Sequence, residues 1–329
     1  MSRSGLRRLA LVLLPLGLVG VALGFVRLPY FVVEPGPAQD VVSLIRIGGH
    51  PTYPGRGRLL LTSVLFEPAT AYEALVAWWS PVASVVPERQ ILGPGGSEEE
   101  RRQALSEMDT SKIDAAYVVL ARYTAYPEEH GPGALVESVI PGSPADGKLF
   151  PGDLIVSVDG EPLQDVQDLG RRVRAAGVGR TLTLRVEAGG ASRTVRVAPA
   201  LLPRVARDRP VIGVSVVEPF PFPLSMESGA IGGPSAGLMW ALGLVELLTP
   251  GDLTGGRVVA GTGQLALDGR VLPVLGVPEK VAAAERAGAS VFFAPAQNAP
   301  EARAVARRLT VVPVRTYLDA VAFLQRGRP

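Results

Sequence analysis

The stretch that decides the fold reads Gly232-Gly233-Pro234-Ser235-Ala236-Gly237, followed directly by the helix-forming run Leu238-Met239-Trp240-Ala241-Leu242. This order predicts a tight turn that opens a helix, with the Ser235 hydroxyl at the helix N-terminus. Free backbone N–H groups and the positive end of the helix dipole lie at such a position, and both stabilise a developing oxyanion. Gly-Pro-Ser also occurs in ordinary loops, so the turn needs a partner before it indicates catalysis.

A serine hydroxyl needs a general base, and few residues of this chain can act as one. There is no cysteine, and the two histidines, His50 and His130, each stand in a turn-rich segment typical of solvated loops. Lys280 is the best candidate, 45 residues after Ser235. Pro278 suits the first turn of a helix, so Lys280 is expected in that turn, where the dipole and apolar neighbours lower the pKa of the amine. The alternative is a solvated surface lysine.

Further motifs follow in order, namely Gly261-Thr262-Gly263-Gln264, the run Leu267-Asp268-Gly269-Arg270-Val271-Leu272-Pro273-Val274, Gly276, Glu279-Lys280, Ala287-Gly288-Ala289 and Ala294-Pro295. Together with the serine turn, these motifs closely resemble the proteolytic domain of Lon proteases, a family that uses a Ser/Lys dyad. The resemblance implies that Ser235 is the nucleophile and Lys280 the general base. Thr262, at the family's threonine position, would orient the lysine by a hydrogen bond.

The serine turn is also expected to supply the supporting residues Gly233, Pro234 and Ala236, because backbone N–H groups around it would hold the oxyanion. Lon proteases usually carry Asp-Gly-Pro-Ser at this turn, where this chain has Gly at position 232, and Thr-Gly-Glu where this chain has Thr262-Gly263-Gln264. Gly-Gly-Pro-Ser is typical of membrane-anchored bacterial proteases that combine PDZ and Lon-like domains. We therefore interpret the difference as a sign of that subfamily.

An apolar stretch of 18 residues, 9–26, stands near the N-terminus and reaches roughly 27 Å as a helix, about the thickness of bilayer hydrocarbon. Three arginines precede it and only Arg27 follows closely. The positive-inside rule then predicts a cytoplasmic tail over 1–8, a transmembrane anchor over 9–27 and an extracytoplasmic remainder. The alternative is a cleaved signal peptide and a secreted soluble protease. The lack of a small-x-small cleavage site before Leu28 favours a retained anchor.

The middle of the chain carries a second set of motifs, the strand 133–140, the turn Pro141-Gly142-Ser143-Pro144-Ala145 and the run Pro151-Gly152-Asp153-Leu154-Ile155. They resemble a bacterial-type PDZ domain, which we expect over 122–202, with a groove helix from Asp165 to Ala176 and a hairpin around Gly189-Gly190. PDZ domains bind an extended peptide as an added strand and capture its C-terminal carboxylate. The binding loop is expected between Val118 and His130. No Gly-Leu-Gly-Phe-like tetrapeptide stands there, so no ligand residues are assigned.

The piece after the PDZ domain, 203–329, is short for a whole Lon proteolytic domain. A predicted hairpin over 41–66 and a predicted helix over 98–121 resemble the first half of that domain, so 28–121 is expected to belong to the protease fold. The predicted fold class is α+β, with an N-terminal transmembrane helix and a PDZ domain, a small β-barrel with helices, inserted into an α/β Lon-type proteolytic domain.

Two local predictions concern segments outside the main motifs. Thr70-Ala71-Tyr72-Glu73 is a capping-box pattern that predicts a helix carrying the paired Trp78 and Trp79. We interpret the tryptophans as packing against the core or a membrane rather than as a ligand site. The apolar run 211–217 predicts a strand of the catalytic part.

Composition and missing motifs exclude several functions. The chain has 33 Lys and Arg against 31 Asp and Glu, a net charge of +2, so no nucleic-acid partner is predicted. Two isolated histidines and the lack of cysteine argue against a zinc site, and neither a metal nor a cofactor is expected. No Gly-x4-Gly-Lys-Ser/Thr phosphate loop occurs, so cleavage is expected to be independent of ATP.

These observations predict an ATP-independent serine endopeptidase anchored in the cell membrane, with its catalytic part outside the cytoplasm. The expected partners are the cytoplasmic membrane and protein or peptide substrates, captured through C-termini or unfolded segments. Such an enzyme would serve the quality control of extracytoplasmic or membrane proteins. The alternative is a non-catalytic PDZ adaptor that binds protein C-termini without cutting them. The intact set Ser235, Thr262 and Lys280 favours the enzyme.

Overall fold

The computed structural model of this chain describes residues 21–80, 82–92 and 96–326. The predicted tail over 1–8 and the larger part of the predicted anchor over 9–27 lie outside these ranges. Inside them, no helix is both long enough and apolar enough to span a bilayer.

The strands are β1 Arg27–Asp40, β2 Ile45–Ile47, β3 Arg58–Thr70, β4 Ser84–Pro87, β5 Ala134–Val139, β6 Leu154–Val158, β7 Glu161–Pro162, β8 Leu182–Ala188, β9 Ala191–Val197, β10 Ala200–Leu202, β11 Ala206–Val211, β12 Val214–Val217, β13 Leu224–Met226, β14 Val258–Gly261, β15 Gln264–Leu265, β16 Val271–Leu272, β17 Val291–Pro295 and β18 Thr310–Val314. The helices are α1 Ala71–Trp79, α2 Glu88–Ile91, α3 Gly96–Tyr123, α4 Val166–Ala176, α5 Gly237–Leu248, α6 Val277–Arg286, α7 Ala299–Val305 and α8 Tyr317–Arg326.

The larger sheet has the strand order β18-β17-β14-β3-β1-β4. Its strands β3, β14, β17 and β18 are parallel, whereas β1 is antiparallel to both β3 and β4. Helices α3, α5 and α8 contribute to the core on one face, and α6 and α7 contribute to the core on the other. The sheet is therefore built from segments at both ends of the chain, and neither end supplies it alone.

The second sheet has the order β12-β5-β6-β8-β9, with β7 paired to β6. It encloses a separate apolar core against α4. That helix begins and ends as predicted, because the Asp165 carboxylate accepts the Asp168 N–H and Gly177 closes the helix at a positive φ. The predicted hairpin around Gly189-Gly190 is also confirmed, with β8 paired to β9.

The predicted hairpin over 41–66 is wrong in its pairing. Val41–Leu44 forms a 3-10 turn, capped by the Asp40 carboxylate, and β2 pairs with β13 rather than with β3. The partner of β3 is β1, which begins directly after the apolar N-terminal stretch. The sequence did not predict β1 as a strand, because prolines such as Pro35 normally disfavour strands. Pro35 lies beyond the pairing with β4, on an edge where a missing N–H is tolerated.

Strand β12 differs from its predicted place in the catalytic part. It is hydrogen-bonded to β5 and forms the edge of the second sheet. The apolar run that predicted it is broken at Gly213, whose positive φ separates β11 from β12. An apolar strand fits either core, so its composition does not indicate which sheet it joins.

Helices α1 and α3 form where they were predicted. The capping box of α1 is complete, since Thr70 and Glu73 each accept a hydrogen bond from the other's backbone N–H. The paired tryptophans do not pack in the core, because Trp78 and Trp79 are each 84% exposed.

Helix α3 joins the two sheets through a buried carboxyl pair. The Thr110 hydroxyl donates to the Glu137 backbone oxygen of β5, and Asp114 lies one turn further along the helix beside the Glu137 carboxyl. Both carboxyl groups are buried. Burial, followed by the charge of Glu137, raises the pKa of Asp114 to about 7.

We predict that the Asp114→Asn variant is more stable than the wild type at pH 8. The pKa of Asp114 is higher in the folded protein than the ordinary value of 3.8, so the folded state binds the extra proton and its stability falls as pH rises towards 7. The asparagine amide replaces the protonated carboxyl, so the free energy of unfolding at pH 8 should rise by on the order of 1 to 4 kcal/mol.

Urea unfolding at pH 5 and pH 8 measures this difference. The control is Asp109→Asn, which changes a half-exposed carboxylate on the same helix and should leave the pH dependence as in the wild type. A variant at position 114 that keeps the wild-type fall in stability between the two pH values would contradict the prediction.

Candidate active site

The Ser235 turn needs both of its glycines. Gly233 has φ +87°, a conformation that favours glycine, and its N–H donates to the Ala104 oxygen of α3 at 2.6 Å. A Cβ on Gly232 would lie 2.8 Å from the Ala104 Cβ and 2.9 Å from its carbonyl carbon. The backbone of α3 therefore leaves no room here for the aspartate that Lon proteases usually carry at this position.

The structure brings Ser235, Thr262 and Lys280 together. Lys280 Nζ lies 2.7 Å from Ser235 Oγ and 3.2 Å from Thr262 Oγ1. Thr262, at the carboxyl end of β14, also donates its hydroxyl proton to the Ser235 carbonyl oxygen at 3.0 Å. The Gly263 N–H donates to the same oxygen at 2.8 Å. The serine turn and the lysine are thus held by one set of hydrogen bonds.

Lys280 lies in the first turn of α6, as the sequence predicts, and it is only 3% exposed. Burial lowers its pKa to about 8, while the neighbouring carboxylate of Glu279 raises it. Glu279 is itself buried and accepts a hydrogen bond from the Ser84 hydroxyl of β4. A lowered pKa increases the fraction of the lysine that is neutral near physiological pH. A neutral amine has a lone pair that can accept the Ser235 proton.

The backbone around Ser235 offers fewer donors than the sequence implies. The Gly233 N–H is already bonded to Ala104, and Pro234 has no N–H. These two residues therefore shape the turn, and the Ser235 N–H, in the first turn of the 3-10 segment Pro234–Ala236, has no carbonyl of that turn to bind.

A groove of about 680 Å³ opens above Ser235 and Lys280. Its walls are mostly apolar and include Thr62–Phe66 of β3, Ala104 and Met108 of α3, and residues 227–232 before the serine, with smaller contributions from β1 and the 3-10 turn after it. The pairing of β3 with β14 ends at Leu61, so on the groove side Thr62–Phe66 has no partner among the described strands. This open edge can accept an extended chain as an added strand.

Sequence reasoning missed the β3 wall of the groove. An alternating apolar strand has the same pattern whichever neighbour it pairs with, and the predicted hairpin had given β3 a different partner. Within the described ranges, no group of three or more His, Asp or Glu side chains is placed to hold a metal ion.

A second groove, of about 180 Å³, lies between α4 and the edge strand β12. Leu169, Gly170 and Val173 line it from the helix, and residues 209–214 line it from the chain before and within β12. Arg174 and Arg209 stand on its rim. The predicted binding-loop segment, 118–130, is instead the end of α3 and the turn after it. The groove is lined instead by Ile212-Gly213-Val214, an apolar-Gly-apolar run that lies after the predicted range 122–202.

Two family models match separate parts of this chain. Residues 223–322 match the family model of the Lon protease (S16) C-terminal proteolytic domain, and residues 135–187 match that of a PDZ domain. The chain is 48% identical over 71 residues to a Lon protease of Roseiflexus castenholzii and 45% identical over 73 residues to one of Mycolicibacterium smegmatis. These matches cover 22% and 21% of this chain and 9% of each relative.

Among solved structures, the PDZ domain of an SdrC-like protein from Listeria monocytogenes is 25% identical, with a TM-score of 0.25, and covers 26% of this chain and 90% of its own. By the two family matches, the chain contains a Lon-type proteolytic domain, the domain of a serine peptidase, and a PDZ domain.

We predict that a serine-directed fluorophosphonate labels Ser235 at a rate that rises with pH, with a midpoint near pH 8. A lysine accepts a proton only in its neutral form, and the pKa of Lys280 is about 8. In Glu279→Gln the charge that raises this pKa is gone, while the amide oxygen still accepts the Ser84 hydroxyl. The midpoint should therefore move to lower pH.

Mass spectrometry of the labelled protein between pH 6 and pH 10 gives the rate profile. Glu227→Gln, which removes an exposed carboxylate at the rim of the same groove, is the matched control and should keep the wild-type midpoint. An unchanged or higher midpoint in Glu279→Gln would refute this electrostatic account.

Proposed function

We propose that this chain, with its Lon-type proteolytic domain and its PDZ domain, is an ATP-independent serine endopeptidase. The observation that carries the proposal is the 2.7 Å separation between Ser235 Oγ and the buried Lys280 Nζ, in a groove of about 680 Å³. Independence of ATP is proposed because the 329 residues hold no phosphate-binding loop motif.

In the proposed reaction, neutral Lys280 accepts the Ser235 proton as Oγ attacks the peptide carbonyl. Thr262 keeps the amine directed at the serine, because its hydroxyl bonds both Nζ and the Ser235 carbonyl. The Ser235 N–H is the proposed donor to the oxyanion. The lysine then returns the proton to the leaving amine, and water, deprotonated by the same lysine, hydrolyses the acyl-enzyme.

The proposed substrates are unfolded or flexible protein segments. The open edge of Thr62–Phe66 pairs with a backbone rather than with a particular side chain, so a folded substrate cannot enter. The apolar lining from Met108 and Ala104 favours apolar side chains next to the cleaved bond.

We further propose that the PDZ domain is inserted into the protease fold and delivers substrate to it. Support comes from the larger sheet, in which β1, β3 and β4 precede the PDZ motifs while β14, β17 and β18 follow them. Edge strand β12 leads through residues 218–223 to β13, directly before the segment 227–232 that lines the catalytic groove. A peptide tail bound along β12 is thereby tethered near Ser235.

The proposed location is the cytoplasmic membrane, with the N-terminus inside and the catalytic part outside. The apolar stretch over 9–26 and the arginines before it support this placement. The proposed role is the quality control of extracytoplasmic or membrane proteins, with cleavage of segments that have lost their fold.

The rival function is a PDZ adaptor that holds protein C-termini without cutting them. Its support is the α4 groove with two arginines at its rim, which suits a terminal carboxylate. The buried lysine next to Ser235 favours the enzyme, because an inert domain has no need of an amine that costs free energy to bury.

We predict that Ser235→Ala and Lys280→Ala each lower cleavage of unfolded casein by at least about 1,000-fold, because either change removes the whole nucleophile–base unit. Cleavage is followed by gel electrophoresis and folding by thermal melting. The controls are Ser192→Ala and Lys148→Ala, which change exposed residues of the second sheet and its loops and should cut as the wild type does. Full activity of a folded Ser235→Ala protein would exclude the mechanism.

We predict that Gly170→Leu fills the α4 groove and leaves the catalytic site intact. A Cβ at this helical position meets only the mobile end of Arg174, so the helix tolerates the change. With a fluorogenic peptide that ends in a free valine carboxylate, KM should rise at least about tenfold while kcat stays unchanged.

The same peptide amidated at its C-terminus should be cut equally well by Gly170→Leu and by the wild type. Gln167→Leu, on an exposed part of the same helix, is the matched control. If Gly170→Leu slows cleavage of both peptides equally, or of neither, the groove does not capture substrate C-termini.

A further inference from the structure

Helix α1 exposes an apolar face that no described part of the chain covers. The face, called here the α1 face, consists of Tyr72, Leu75, Val76, Trp78 and Trp79, each at least 47% exposed. At about 3.6 residues per turn, these five positions lie on the same side of the helix. The opposite side is buried, where Ala77 packs with Val32 of β1 and Ala69 of β3. The helix is therefore firmly attached to the larger sheet and turns its largest side chains outward.

The α1 face begins where the apolar N-terminal stretch ends. The backbone N–H of Ala71, the first residue of α1, donates to the carbonyl oxygen of Val26, the last residue of that stretch, at 2.8 Å. Next to this bond, Arg27 pairs with Thr70 in the β1–β3 ladder. The exposed Phe25 and Val26 continue the apolar surface towards the N-terminus. The start of α1 is thus fixed to the point at which the predicted anchor would leave the bilayer.

The composition of the α1 face suits the boundary between lipid and water. Tryptophan and tyrosine concentrate at that boundary because their rings are apolar and their N–H or O–H groups bind water or headgroups. The helix has one charged residue, Glu73, and its carboxylate sits at the N-terminal cap, where the Thr70 N–H and hydroxyl lower its pKa. A groove of about 680 Å³ between α1, β1 and β4, lined by Leu28, Tyr30 and Trp78 among others, extends the apolar surface.

We infer that the α1 face lies in the surface of the phospholipid bilayer, parallel to the membrane plane, and holds the catalytic part at a fixed orientation to it. A helix of this kind buries its apolar side roughly 5–10 Å into the headgroup and acyl boundary. The inference rests on the proposed membrane anchoring. It adds that a second element of the fold touches lipid, through side chains of its own.

Lipid is the occupant that the geometry favours over a second copy of the chain. A copy would need a complementary surface, whereas a bilayer needs only that the face be close and apolar, and the Val26–Ala71 hydrogen bond places the face at the end of the proposed anchor. This placement also determines which substrates come close to the catalytic groove. Phe66 of its β3 wall is four residues from Thr70, about 13 Å along the strand, so chain segments that emerge near the membrane surface are the substrates within reach.

Tryptophan quenching by brominated lipid tests the inference. The chain has three tryptophans, and the third, Trp240, is fully buried in the core with its N–H donated to the Met108 sulfur. The full chain is reconstituted into vesicles of phosphatidylcholine, with or without bromine on the upper part of the acyl chains, and is first floated on a density gradient. The matched variant Trp78→Phe/Trp79→Phe keeps the apolar face and leaves only the buried tryptophan to report.

The wild type should float with the vesicles and lose about half of its fluorescence in brominated lipid, because two of three tryptophans contact the acyl chains. The double variant should float equally and lose little. If the wild type floats without quenching, or is quenched no more than the double variant, the membrane anchor is supported but the α1 face does not lie in lipid. If the wild type does not float, both the anchor and this inference are overturned.

Discussion

The structure depends on one buried amine. Lys280 is taken out of water by α6 and the larger sheet, and that burial, opposed by Glu279, holds its pKa near 8. A buried charged group is costly, so the site favours the neutral form that a serine nucleophile needs. The surrounding bonds restrain it further, because Thr262 ties the amine to the same carbonyl that fixes the serine turn. The hydrogen bonds that fix the serine turn therefore also fix the position of the lysine amine.

Both ends of the chain contribute to the surroundings of this amine. Lys280 and Thr262 come from the C-terminal part. The Ser235 turn, however, is hydrogen-bonded to Ala104 of α3, and Glu279 accepts a hydrogen bond from Ser84 of β4. Strands β1 and β3 then supply the groove wall and the attachment of α1. Removal of the N-terminal segment would expose the amine to water and return its pKa towards that of an ordinary lysine. The C-terminal motifs alone are in this sense an incomplete site.

The sequence was most informative where a local signature fixes a side chain. Gly-Gly-Pro before Ser235, and Pro278 before Lys280, each place a residue in the first turn of a helix, and the structure has both there. It was least informative for pairing between distant strands. The apolar alternation of β3 is the same beside β1 as beside β2, and β12 fits either core. The raised pKa of Asp114 beside Glu137 had no signal either, because a carboxylate in a helix normally indicates a solvated position.

The α4 groove, the catalytic groove and the α1 face are connected through short pieces of chain. Residues 218–223 lead from the edge strand β12 to β13, and the Tyr126 hydroxyl holds this connection by donating to the Glu218 carbonyl at 2.7 Å. At the other side of the catalytic groove, the β3 wall runs directly into the cap of α1. Under the proposed function, a tail held in the α4 groove and a segment held at the bilayer are both tethered near Ser235 through these connections. Because tethering raises the local concentration of a weakly bound chain, neither surface needs high affinity for cleavage to be selective.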